Sequence, residues 1–154
     1  MAQPLRRAAR AALFLTILLL PVRLGAQVAV VVNPHNAADD ISLDRLKRLY
    51  LGQATTFPAG DHARLALHVP SSERFDQAAL GLGREIVRSR WMAMAFRGEA
   101  GTLPVEYTTV EEVRKFIGDH PDGIAYLPAS LVDDTMKVLR VDGKRPTDPG
   151  YPIK

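Results

Sequence analysis

Five consecutive residues, Val28-Ala29-Val30-Val31-Val32, constrain this chain more than any others. Four are β-branched and none is polar, so the run reads as a strand covered on both faces. A sheet with helices on both sides offers such a place, which makes the chain α/β with this strand inside the sheet. Asn33-Pro34-His35-Asn36 ends the strand, since proline disfavours continuation and asparagine suits a turn. Asn33, His35 and Asn36 then stand at the C-terminal end of a buried strand, the edge where open α/β sheets bind ligands. Asn33 is taken as a candidate ligand-binding residue, with a solvated turn as the plainer reading of each residue singly.

What precedes the strand reads as an address. Arg6, Arg7 and Arg10 form a basic region, Ala11–Leu20 is uninterruptedly apolar, and Leu24-Gly25-Ala26 supplies small residues for a cut after Ala26. The apolar run is shorter than the roughly 20 residues that span a bilayer. Residues 1–26 are therefore expected to be a signal peptide and 27–154 one domain. Arg23, close to the cut, leaves a retained anchor as the alternative. No cysteine follows the apolar run, so a lipid-modified terminus is excluded.

Removing that segment changes the charge argument. The whole chain carries 20 basic and 17 acidic residues, a net +3. Four of the basic residues and none of the acids lie before residue 27, which leaves 16 against 17, or −1. The basic balance belongs to the leader, and no nucleic-acid or anionic-membrane surface is expected. With no cysteine there is neither a disulfide nor thiolate chemistry. An exported domain held by its core alone suits a bacterial periplasm.

Along the rest of the chain, Ser42 caps a helix whose face is Leu43, Leu46, Leu49 and Tyr50, and Gly52 stops it. A loop over Thr55–Asp61 leads to a strand, Arg64–Val69. Pro70, Ser71 and Ser72 follow, and then Phe75, Ala79, Leu82 and Ile86 recur at helical spacing. The serines are expected to cap this helix. A strand running into a serine-capped helix start is also a place to hold an anion, through free N–H groups and the positive end of the dipole. Gly81 and Gly83 fall inside the pattern as close packing or a weak spot. Ser89–Phe96 reads as a second amphipathic helix lining the core, and Arg97–Gly101 as a loop closed by Pro104. Thr109-Val110-Glu111-Glu112 fits a capping box for a helix burying Val110, Val113, Phe116 and Ile117. Asp122-Gly123 turns into the strand Ile124–Leu127, and Met136–Val141 alternates like an edge strand. The Pro- and Gly-rich tail from Asp142 is expected to run over the surface.

Catalytic and metal chemistry find little support. His35, His62, His68 and His120 have no partner at i+3 or i+4, so no helical metal pair exists, and no cofactor is expected. His68 stands three residues before Ser71, but without a G-x-S-x-G elbow, and is read as a partly buried strand histidine. The acidic pairs Asp39-Asp40, Glu111-Glu112 and Asp133-Asp134 sit at turns and helix starts rather than forming an acid–base dyad. The chain is not expected to be an enzyme.

Three segments in order resemble one family. Ile41–Gln53, ending Tyr50-Leu51-Gly52-Gln53, is similar to the Tyr/Phe-Leu-Gly-Lys segment of phosphate-type periplasmic substrate-binding proteins of ABC transporters. Asp122–Leu127 resembles their Pro-Gly-Ala-Ile-Gly-Tyr-Val segment. Between the two, the Ser71-Ser72 junction takes the place of their Arg-x-Asp-Gly-Ser-Gly-Thr phosphate loop. The serines match in position and chemistry. The family's arginine does not align, with Arg74 two residues past the serine pair, and Phe57 stands where the family commonly has tryptophan. The resemblance implies a mixed-sheet single lobe of a periplasmic-binding-protein-like (type II) fold. It further implies a periplasmic protein that binds phosphate or a similar small oxyanion through Ser71, Ser72, Arg74 and Asn33. A membrane transporter or a sensor protein would be its partner. The full family clamps its ligand between two lobes, and this length provides about one. The alternative is an interaction module that keeps the fold without a ligand.

Overall fold

The computed structural model describes residues 27–99 and 103–154. The expected signal peptide lies outside the described residues, as does part of the loop before Pro104.

The chain forms β1 (Val28–Val32), β2 (Asp40–Ile41), α1 (Leu43–Tyr50), β3 (Arg64–His68), α2 (Val69–Phe75), α3 (Arg84–Phe96), β4 (Val105–Tyr107), α4 (Val110–Asp119), β5 (Gly123–Pro128), β6 (Lys137–Val138) and β7 (Arg140–Val141). Five strands make one mixed sheet in the order β4-β3-β5-β1-β6. β3 runs parallel to both β4 and β5, while β1 is antiparallel to β5 with Val28 opposite Pro128 and Val32 opposite Ile124. β6 pairs antiparallel with β1, and β2 pairs separately with β7.

Alternation along the strands divides the core into two layers. Val28, Val30, Val32, Leu65, Leu67, Ile124 and Tyr126 face the side covered by α1, α2 and α3. Val31, Ala66, Ala125 and Leu127 face α4, which brings Val113, Phe116 and Ile117. β1 is buried along its whole length, as a β-branched run without polar alternation requires. Fully burying each such side chain contributes about 1.5–3 kcal/mol before entropy is charged against it. The caps at α1 and α4 form as the sequence prescribes. Ser42 Oγ accepts from the Arg45 amide at 3.1 Å. Thr109 and Glu112 exchange both bonds of the capping box.

Four expectations change. The helix after β3 is not one element: α2 widens into a π-helical turn over Asp76–Leu80 and stops at Gly81, whose φ of 71° is left-handed, and Gly83 opens α3. The glycines are therefore a terminator and a start, and Ile86 is 57% exposed instead of continuing the buried face. The expected last strand breaks at Leu139, whose amide bonds to Val30 O while its side chain enters the core. Val105–Tyr107 adds a fifth strand beside β3. The tail does not skim the surface. Tyr151 and Ile153 are buried, Tyr151 Oη donates to Val28 O at 2.8 Å, and the Val28 amide donates to Ile153 O at 3.2 Å. Two apolar residues on either side of Pro152 suffice to anchor it.

Candidate functional site

The carboxyl ends of the three parallel strands β4, β3 and β5 define one edge of the sheet. At the end of β3 the backbone passes through His68 (φ −93°, ψ 106°) directly into α2, so His68 holds the cap position. The serines lie three and four places past the cap, not at it. Pro70 explains the shift: it lacks an N–H and its φ suits the first helical turn, so the helix begins before it.

Both serine hydroxyls are committed locally. Ser71 Oγ and His68 Nδ1 share a hydrogen bond of 2.8 Å, and Ser72 Oγ donates to Val69 O at 2.7 Å. His68, Ser71 and Ser72 are all buried. Burial pushes the His68 imidazole below its ordinary value, so it is neutral at physiological pH. Around them, Pro70, Glu73, Arg74, Gln77, Ala78 and Lys154 line an open groove. Glu73 accepts a hydrogen bond from the Gln77 amide. Of the three expected ligands on α2, Arg74 lines that groove, while Ser71 and Ser72 are buried and do not line it.

Asn33 does not join them. β1 runs against β5, and β5 runs with β3, so the end of β1 and the end of β3 lie at opposite edges of the sheet. The Asn33 amide is fully used there. It donates to Ile117 O at 2.8 Å and Gly118 O at 3.3 Å and accepts from the His35 amide at 2.8 Å, tying β1 to the end of α4.

Two helix starts meet the carboxyl edge, and they differ. At α4 the Glu112 carboxylate accepts from the Thr108 and Thr109 amides at 3.1 and 3.0 Å, and these bonds, Thr109's amide first, hold its carboxyl below the usual range. That end already holds an anion of its own. No side chain caps α2.

Behind α2 lies a polar cluster that no sequence pattern announces. Asp76 is 1% exposed, and its Oδ2 accepts from Arg84 Nη1 at 3.1 Å, while Arg84 Nη2 donates to Glu106 Oε1 at 2.9 Å. The Arg84 guanidinium also lies 4.9 Å over the Trp91 ring. Burial pushes the Asp76 carboxyl up to about 6, with Arg84 pulling the other way. Asp76 Oδ1 and Tyr126 Oη are buried without a hydrogen-bond partner among the described residues. Phe75 stacks on Tyr126 at 3.8 Å, with Tyr50 closing the aromatic group. Asp76 and Arg84 stand eight residues apart across a broken helix, so no helical spacing links them. Among the described residues, no three His, Cys, Asp or Glu groups are placed to hold a metal ion. No helix among the described residues is long and apolar enough to cross a membrane.

No protein-family model matches the chain. The phosphate-binding protein PstS of Bacillus subtilis (strain 168) is 30% identical over 128 residues, covering 78% of this chain. This chain spans only 39% of that relative's length. Among solved structures, a putative phosphate ABC transporter substrate-binding protein with bound phosphate from Clostridium perfringens superposes with a TM-score of 0.61 at 17% identity, covering 79% of this chain and 47% of that one. PstS from Borrelia burgdorferi gives 0.56 at 12% identity over 82% of this chain and 53% of its own. An ABC-type phosphate transport receptor from Vibrio cholerae gives 0.54 at 16% identity over 79% and 48%. At these identities the superpositions speak for the fold: a mixed α/β unit equivalent to about half of each structure.

Proposed function

Starting from a chain that is a relative of the phosphate-type substrate-binding proteins, we propose that this one is an exported binding protein for phosphate or a similar small oxyanion. The sequence match to a phosphate-binding protein carries the reading. The uncapped start of α2, beside Ser71, Ser72 and Arg74, supplies the place. The hydroxyls turn from their local partners toward the anion, backbone amides of the first turn contribute further donors, and Arg74 supplies charge. Asn33 has no part in it. The His68–Ser71 contact ties the end of β3 to the first turn of α2.

About half of a two-lobed clamp gives about half of a coordination shell. The remaining oxygens of the anion are met by water or by a partner, and affinity is correspondingly modest. Delivery to an ABC uptake system in the periplasm, after removal of residues 1–26, completes the reading.

The test is isothermal titration of phosphate into the wild-type chain and into Ser71→Ala/Ser72→Ala, with sulfate as control. Each substitution costs about 1 kcal/mol of stability through its lost hydrogen bond, and the double variant, still folded, loses phosphate binding. Undiminished binding in that variant sinks the site.

One observation favours a second reading, an interaction module without a ligand. On α3, Met92 and Phe96 are 61% and 85% exposed one turn apart, a solvent-facing apolar ridge unusual in so small a domain. On that reading phosphate leaves the protein unchanged, and Met92→Ser with Phe96→Ser abolishes co-purification with a periplasmic or inner-membrane partner.

A further inference from the structure

Gln27, the residue after the expected cut, is nearly buried and hydrogen-bonded through its backbone. Its carbonyl accepts from the Ala129 amide at 2.9 Å, and the next amide, Val28 N, donates to Ile153 O at 3.2 Å. The residue is only 9% exposed, held between β5 and the C-terminal segment. Its side-chain Oε1 is buried with no hydrogen-bond partner among the described residues. The cut that the sequence indicates falls immediately before it, after Ala26. A chain beginning there would carry an α-ammonium on a nearly buried residue, where a charge loses its hydration.

Glutamine is one of few residues whose own side chain can remove that charge. The neutral α-amine nitrogen adds to the side-chain Cδ and forms an N–Cδ bond. The Cδ–Nε2 bond breaks, a proton passes from the attacking nitrogen to the departing one, and ammonia leaves. Nothing is oxidised or reduced and no co-reactant is consumed. The product is a five-membered lactam with no charge, one N–H donor and one carbonyl.

We propose that Gln27 is a modification site, closed to pyroglutamate once the signal segment is removed. This rests on cleavage after Ala26. Closure takes place on the newly freed terminus, before β1 is locked into the sheet, and the folded protein then buries a neutral end where it would otherwise bury an ion. The same closure blocks the terminus to aminopeptidases.

The experiment expresses the full 154-residue chain in an exporting bacterial host and records intact and N-terminal peptide masses on freshly extracted protein, so that slow closure in storage plays no part. The expected species begins at residue 27, is lighter than the unmodified 27–154 chain by one ammonia, and resists aminopeptidase. Gln27→Ala, cut at the same place, keeps its full mass, and after denaturation aminopeptidase trims it while the wild-type terminus resists. A terminus at residue 27 with glutamine intact overturns the modification and leaves the signal assignment standing. A terminus elsewhere, or an uncut chain, overturns both.

Discussion

Two buried tyrosines should respond to the same substitution with opposite signs. Tyr50 Oη donates to Ala66 O at 2.9 Å and lies 3.4 Å from Ile124 O, bridging β3 and β5 from α1. Tyr126 Oη, on the same aromatic cluster, is buried with no partner among the described residues. Replacing either by phenylalanine keeps the ring, so no cavity larger than an oxygen is made and the packing term stays small. For Tyr50→Phe the loss is the hydrogen bond together with a strand carbonyl left short of a donor, about 1–2 kcal/mol. For Tyr126→Phe the change removes an unsatisfied buried hydroxyl and should gain about 1 kcal/mol. Phe75, stacked at 3.8 Å and 8°, keeps its contact in both variants. Urea unfolding reads both: with a slope of about 1–3 kcal/mol/M, the midpoint falls for Tyr50→Phe and rises for Tyr126→Phe, each by a few tenths of a molar or more, at unchanged slope. Equal destabilisation by the two substitutions would refute the reasoning, because it would mean that the Tyr126 hydroxyl is hydrogen-bonded in solution.

Gly52 has φ +69°, and a Cβ there would meet Met94 Cε at 2.0 Å, so Gly52→Ala should cost about 2–4 kcal/mol from backbone and overpacking together. In a Met94→Ala background only the backbone part, about 1 kcal/mol, should remain, which a double-mutant cycle measures. Asp76, pushed up to about 6 from an ordinary 3.8, favours the fold in its protonated form. Its contribution is complete below pH 4 and is lost as the pH rises through 6. Asp76→Asn should therefore flatten that part of the stability profile, and an unchanged slope between pH 4 and 6 would contradict it. Thr109→Ala removes the reciprocal capping bonds of α4 and should cost about 1 kcal/mol, read by thermal melting.

Much of the architecture is written locally. The polar-free run of β1, the caps at Ser42 and Thr109 and the stop at Gly52 each act within a few residues, so pattern alone finds them. What the pattern misses is decided by distant partners. Tyr151 and Ile153 look like tail residues until β1 offers them a place, and the last strand divides at Leu139 because its first half pairs with β1 and its second with β2. At the candidate site, Ser71, Ser72 and Arg74 are neighbours in sequence and remain so in space. Asn33 was eligible as the end of a buried strand, yet strand direction places it at the far edge, and direction is a property of the whole sheet. The Asp76–Arg84–Glu106 cluster joins three separate elements, and none of its residues sits in a motif. The helix break at Gly81 is the converse case: the glycine was visible, but continued apolar spacing to Ile86 masked what it does.

The central proposal, phosphate binding by this chain, is tested most directly by thermal melting of residues 27–154 in phosphate, sulfate and chloride at matched ionic strength. A ligand at a hundred times its dissociation constant adds about 2.7 kcal/mol to the native state, a rise of several degrees for a domain of this size. The account predicts that rise in phosphate, and its loss in Ser71→Ala/Ser72→Ala. Identical melting in all three salts would contradict it.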